Sequence, residues 1–181
     1  MRERRDAGLT AMRLLAAIDR EFPHAAAERS VWTTGRILLE PNLPQIIPGR
    51  AEIFFSFRDL SVAVMDRMEE CLLALVRESN RRERCIATLE AIGHSAPAPC
   101  DPAILAALRG AAKDICPDAW QAMPSGAIHD SQILARVMPV GMLFVPSIGG
   151  ISHHWSEDTR REDLELGLRV LAEGARRVLA G

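Results

Sequence analysis

The chain alternates between two kinds of apolar spacing. Between residues 4 and 21, Leu9, Met12, Leu15, Ala16 and Ile18 recur at close to helical spacing, and the pattern stops at Phe22-Pro23. "SVWTTGRILLE" (30–40) is β-branched and apolar and predicts a strand. "PNLPQIIPGR" (41–50) carries prolines and a glycine and predicts a loop. In "AEIFFSFRD" (51–59) the period becomes two: Ala51, Ile53, Phe55 and Phe57 face one way, and Glu52, Phe54, Ser56 and Arg58 the other. Residues 61–78 return to helical spacing through Val64, Met65, Met68, Leu72, Leu75 and Val76. "RCIATLEAI" (84–92) predicts another strand.

The order α-β-β-α-β is that of a ferredoxin-like split β-α-β unit without its first strand. The Pro/Ala stretch "GHSAPAPCDP" (93–102) is the natural boundary, giving domains 1–94 and 95–181. Beyond it the pattern predicts a helix over 102–114, a loop running into a helix through "MPSGAIHDSQILARVM", a strand over 142–146 and a helix over 161–180. The fold class is α/β: an incomplete α+β first domain, then an α/β portion too poor in strands to cover its own helices. Its apolar faces are expected to stay partly exposed.

Bulk properties narrow the function. Lys+Arg (22) nearly balances Asp+Glu (24), a net charge of −2, without the basic excess that nucleic-acid binding requires. No apolar run reaches membrane-span length, and the mixed-charge N-terminus has neither a signal-peptide core nor a transit-peptide composition. No nucleic acid or membrane partner is expected, and the location expected is cytoplasmic. Cys71, Cys85, Cys100 and Cys116 form no C-x-x-C pair, which favours buried free thiols over a disulfide framework.

Three constellations could carry chemistry. "MLFVPSIGGISHHWSEDT" (142–159) sets His153 and His154 just past an apolar run; imidazole is a common metal ligand, and adjacent histidines on an extended loop diverge, so one of them is the candidate. "PSGAIHDSQ" (124–132) combines Ser125, Gly126 and His129 in a glycine turn able to present donors to an oxyanion, with Asp130 as a possible helix N-cap. A Ser-His-Asp hydrolase is disfavoured there because no G-x-S-x-G elbow surrounds Ser125. Arg58, opposite the apolar strand face, suits a bidentate grip on a carboxylate, and the amides of Asn42 and Gln45 precede that strand.

Together "TTGRILLEPNLPQIIPGRAEIFFSFRD", "MPSGAIHDSQILARVMPVGMLFVPSIGGISHHWSEDT" and "EDLELGLRVL" resemble the amidase/hydantoinase–carbamoylase family, which includes N-carbamoyl-L-amino-acid hydrolases and allantoate amidohydrolases within the zinc-dependent aminoacylase-type metallopeptidases. The resemblance implies a catalytic domain carrying two zinc or manganese ions, interrupted by a lid domain that forms a homodimer. It implies hydrolysis of the linear C–N bond of a small N-carbamoyl or ureido carboxylate by a metal-activated water. On the family pattern His153 matches a metal ligand, Arg58 the carboxylate-binding arginine, and Ser125, Gly126 and His129 a turn facing the substrate. Gln45 stands where the family has an asparagine, and Ile128 where it has a glycine. The remaining ligands, the general base and an oxyanion-stabilising histidine lie upstream in the family. The reading is therefore a fragment of such a hydrolase, inactive alone. The alternatives are a non-catalytic dimerisation module, or a half-enzyme needing a separate N-terminal half.

Overall fold

A computed structural model describes residue 1 and residues 3–180 of the chain. They form the mixed helix-and-sheet architecture expected, in two compact units, Met1–Pro97 and Ala98–Gly181. The first unit runs α1 (Ala7–Ala25), β1 (Val31–Glu40), β2 (Arg50–Arg58), α2 (Val62–Arg82). The second runs α3 (Pro102–Ile115), α4 (Asp130–Leu134), a single 3-10 turn (Ile148–Gly150) and α5 (Arg161–Ala180).

Helix α1 starts where the Asp6 carboxylate accepts from the Leu9 N–H at 2.9 Å. It does not stop at Phe22-Pro23 as the sequence pattern suggests but continues to Ala25, with Pro23 inside its last turn. A proline there removes one hydrogen bond, and packing offsets that loss: Phe22 is fully buried, and Ala25 and Ala26 pack on the same cluster. Phe22 meets Trp32, Phe55 and Phe57 edge-on, with ring centroids 5.9, 5.1 and 5.8 Å away. Ile18 from α1 and Val64 and Met68 from α2 complete this core. Both helices therefore cover one face of the sheet.

Strands β1 and β2 pair antiparallel, from Val31 opposite Arg58 to Glu40 opposite Arg50, with one irregularity between Thr34 and Arg36. Gly35 is the extra residue of that bulge. Trp32 and Thr34 stand opposite Phe57 and Phe55; beyond the bulge Ile37 and Leu39 stand opposite Ile53 and Ala51, on the same helix-covered face. Strict alternation would instead have put Arg36 and Leu38 under the helices. The bulge moves Arg36 to the open face, where its guanidinium sits 5.2 Å from the centre of the Phe54 ring.

Two expected strands do not form. Residues 84–92 have no ladder partner; Ile86 and Ile92 are 72% and 79% exposed. Residues 142–146 are likewise unpaired, with Phe144 half exposed. Apolar patterning specifies a face, but a strand also needs a neighbour for its backbone groups, and the sheet of the described residues has two strands only. The cysteines are free, as expected, though half-buried rather than buried.

The second unit is held by α3 against α5. Asp101 caps α3, accepting from Ala103 N and Ile104 N at 2.8 and 3.0 Å. Ala111, Ala112 and Val170 form a small core. Gly174 permits the close approach, since a Cβ there would lie 2.7 Å from Leu108 Cδ2. At the rim Arg177 donates to Asp114 at 2.6 Å and to Glu173 at 2.8 Å, while Arg176 grips Glu173 bidentately at 2.8 Å. Elsewhere the unit leaves large apolar groups in solvent, among them Val137 (80%) and Trp155 (91%), as its poverty in strands implied.

Two outcomes follow from this packing. Phe22→Ala should cost about 3–5 kcal/mol in chemical denaturation of the first unit, because the rings around it cannot close the cavity; a loss below about 1 kcal/mol would show that they can. The arginine hydrogen bonds, Arg176 first and then Arg177, hold the Glu173 carboxyl at about 2 rather than its ordinary 4.5. A carboxyl depressed in the folded state contributes stability above its unfolded value and loses it as pH falls toward the folded one. Thermal unfolding of the second unit should thus weaken between pH 4.5 and about 2 more steeply than in Glu173→Gln; parallel acid limbs would refute the coupling.

Candidate functional site

In the first unit the candidate groups flank β2. Arg58 ends that strand opposite Val31, on the face that carries no helix. It is exposed and makes no ion pair among the described residues, unlike Arg50, which is tied to Glu40 at 3.0 Å and to Glu52. An unpaired, permanently charged fork on an open sheet face is free to take a carboxylate. Arg36 shares that face, stacked on Phe54. Simple alternation misses it, and the glycine in the middle of the strand is the signal that could have found it. Gln45 lies exposed in the turn between the strands, where Ile46 N–H donates to Leu43 C=O at 3.2 Å. Asn42 enters that turn in the left-handed region, at φ 56°.

In the second unit Ser125 and His129 come together, with Ser125 Oγ 2.7 Å from His129 Nε2. The Ala127 N–H donates to the same Oγ at 3.2 Å, folding the turn around Gly126. The His129 ring packs 5.4 Å from Phe144. Residue 129 is itself the N-cap of α4, so Asp130 occupies the first turn rather than the cap, and it makes no capping bond. Asp130 bonds neither to Ser125 nor to His129, so the described residues contain the serine–histidine pair without an acid to orient it.

His153 follows the Gly149–Gly150 pair, whose φ values of 69° and 70° turn the chain sharply, and adopts φ 57° itself. A non-glycine residue in this region is strained and needs local support. Glu157 supplies it, accepting the His153 N–H at 2.7 Å. Ser152 Oγ lies 2.7 Å from His153 Nδ1, leaving Nε2 without a partner among the described residues. His154 turns to Ser156 instead, at 2.7 Å from its Nδ1. The adjacent histidines thus engage different partners, and the left-handed backbone at His153 departs from the extended loop expected there. Ser152 and Glu157, the groups that hold His153, stand outside the ligand argument, although their spacing of one and four residues from it is a local signal.

The test for a metal is whether donors converge. Among the described residues no group of three or more His, Cys, Asp and Glu side chains could hold an ion. A two-metal centre needs several terminal and bridging ligands, and His153, the candidate among the described residues, is part of no such cluster. The residues present do not make that centre by themselves.

Known proteins place the chain. Residues 7–177 match the family model for peptidase family M20/M25/M40. An N-carbamoyl-L-amino acid amidohydrolase of Geobacillus stearothermophilus is 33% identical over 170 residues, covering 93% of this chain and 40% of that protein. A ureidoglycolate hydrolase of Oryza sativa is 30% identical over 173 residues, covering 95% of this chain and 36% of its own length. A hydantoinase/carbamoylase family amidase of Burkholderia phymatum superposes with a TM-score of 0.84 at 38% identity, over 98% of this chain and 43% of that one. The chain spans about two fifths of the length of these relatives. It belongs to peptidase family M20/M25/M40, and its likeness there is to the hydantoinase/carbamoylase amidases.

Proposed function

We propose that this chain supplies the carboxylate-binding side, and one metal donor, of an amidohydrolase that cleaves the linear C–N bond of an N-carbamoyl amino acid or ureido acid. The 181 residues would be inactive alone. The observation that carries the reading is Arg58: an exposed guanidinium without an ion pair among the described residues, on the helix-free face of a sheet in a chain that superposes over 98% of its length on one of these amidases. Substrates named for the relatives, N-carbamoyl-L-amino acids and ureidoglycolate, join a carbamoyl group to a carboxylate. A fork that grips the carboxylate orients the scissile bond and reduces the entropy lost at the transition state. Gln45 would add an amide contact, one methylene longer than an asparagine. The polar turn of Ser125, Gly126 and His129 would face the carbonyl, with hydroxyl and imidazole held in mutual register at 2.7 Å. Within a homodimer, the first unit would form the contact.

The metal centre, zinc or manganese, would take His153 Nε2 as one donor and the others from outside the described residues. Titration of the 181-residue chain with zinc or manganese should therefore show no stoichiometric uptake. A tight site lost in His153→Ala would mean that the chain builds a centre of its own.

Activity tests the reading directly. The chain alone should release no ammonia or amine from N-carbamoyl-L-amino acids or ureidoglycolate. Joined to the remaining segment of the Geobacillus relative, it should. In that fused enzyme Arg58→Lys keeps the charge but loses the fork, and kcat/KM should fall by roughly 1–3 kcal/mol of transition-state stabilisation. The loss should shrink for amide analogues that lack the carboxylate. Equal activity of Arg58→Lys on both substrate classes would remove Arg58 from the site.

A further inference from the structure

The bulge at Gly35 also decides what the open face of the sheet can bind. Residues directly opposite each other in an antiparallel pair share a face. On the helix-free face Val31 stands opposite Arg58, Thr33 opposite Ser56 and Arg36 opposite Phe54. Along it, therefore, two arginines flank a pair of hydroxyls. Arg36 joins this row only because one extra residue precedes it; with unbroken pairing its side chain would fall beneath α1 and α2. Bulges beside active sites commonly re-aim a single side chain in this way.

The row carries donors and no acid. Arg36 and Arg58 are exposed, and neither makes an ion pair among the described residues. The acids of the same face, Glu40 and Glu52, are both held by Arg50 at its far end. Glu52 stands one rung from Arg36, opposite Leu38, and its bond to Arg50 leaves Arg36 uncompensated. The contact of Arg36 with the Phe54 ring, 5.2 Å from its centre, engages the positive charge but consumes none of the N–H donors. Phe54 and Arg58 lie four residues apart on β2, about 13 Å along the strand. Side chains rooted that far apart suit two carboxylates on a short methylene chain better than the two oxygens of one carboxylate. A monocarboxylate would leave one guanidinium without a counter-charge.

We propose that Arg36 is a specificity-determining residue, taking a second carboxylate on the substrate's side chain while Arg58 takes the α-carboxylate. The preferred substrate is then the N-carbamoyl derivative of an acidic amino acid, a narrower class than the N-carbamoyl-L-amino acids named for the Geobacillus relative. The proposal rests on the carboxylate-binding reading of Arg58 and adds a second anchor to it. Arg36 supplies a planar fork for the distal carboxylate, and the exposed hydroxyls of Thr33 and Ser56 lie between the two anchors. An aromatic side chain is a poorer occupant, because Arg36 already has the Phe54 ring and its charge would stay unneutralised.

The test compares N-carbamoyl-L-glutamate with N-carbamoyl-L-glutamine, which share the α-carboxylate and differ in one side-chain charge. On the 181-residue chain, NMR of the arginine side-chain N–H groups should show Arg58 responding to both ligands and Arg36 to the glutamate derivative alone. In the fused enzyme, kcat/KM should favour the glutamate derivative by roughly tenfold or more. Arg36→Gln should remove that gap, mainly through KM, because the anchor is remote from the scissile bond. Arg58→Lys should lower both substrates alike, and so reports separately on the carboxylate reading. Equal kcat/KM for the two substrates, a gap that survives Arg36→Gln, or higher kcat/KM for N-carbamoyl-L-phenylalanine would each overturn the role of Arg36 and leave that of Arg58 standing. Should the fusion turn over neither substrate, the NMR result decides. An Arg36 signal unmoved by glutamate derivative that moves Arg58 would overturn the proposal, and an Arg58 signal that neither ligand moves would overturn both readings.

Discussion

The first unit depends on one buried ring. Phe22 is presented by the last turn of α1 to the edges of Trp32, Phe55 and Phe57, and the quadrupoles of the rings favour this edge-on arrangement over stacking. Because Phe22 takes its place on one side of the sheet, α1 and α2 both settle there, and the other side is left to Phe54, Arg36 and Arg58. The open face that carries the proposed substrate contact is thus a by-product of where the aromatic core formed. The same demand carries the helix through Pro23, where local propensity alone would end it.

Much of this was legible from the chain. The strand pair and the long helices form where composition and spacing put them, and Ala51, Ile53, Phe55 and Phe57 share a face as their alternation implies, while Met12, on the expected apolar stripe of α1, is 45% exposed. What spacing could not show were relations between segments. Residues 84–92 and 142–146 have the composition of strands, but a strand exists only with a neighbour, and none lies alongside them among the described residues. The Gly35 bulge is invisible in the sequence because composition marks residues 30–40 as a strand without a partner against which an extra residue could be counted. At Pro23 a strong local breaker is outweighed by burial.

The site follows the same division. The residue types that suit metal binding, carboxylate recognition and polarisation of a carbonyl stand out in the sequence as His153, Arg58 and the Ser125–His129 turn. Their support does not. That Glu157 steadies the strained backbone of His153, that Ser152 occupies its Nδ1, and that Ser125 lies against His129 Nε2 are facts of three-dimensional contact. Asp130 shows the limit clearly: it sits next to His129 in sequence, yet His129 is the N-cap and lies against Ser125 while Asp130 takes the first turn and makes no bond to either.

Gly35 also bears on how the hairpin could change. With one residue inserted into β1 and none into β2, the strands are keyed to each other, and a slip of a single position would drive Arg36 toward the rings while turning Ile37 and Leu39 out to water. Replacing a side chain in these strands alters one contact, whereas losing one residue from β1 inverts half the strand. The hairpin should therefore tolerate substitution far better than deletion, and length variation should be confined to the turn around Gln45.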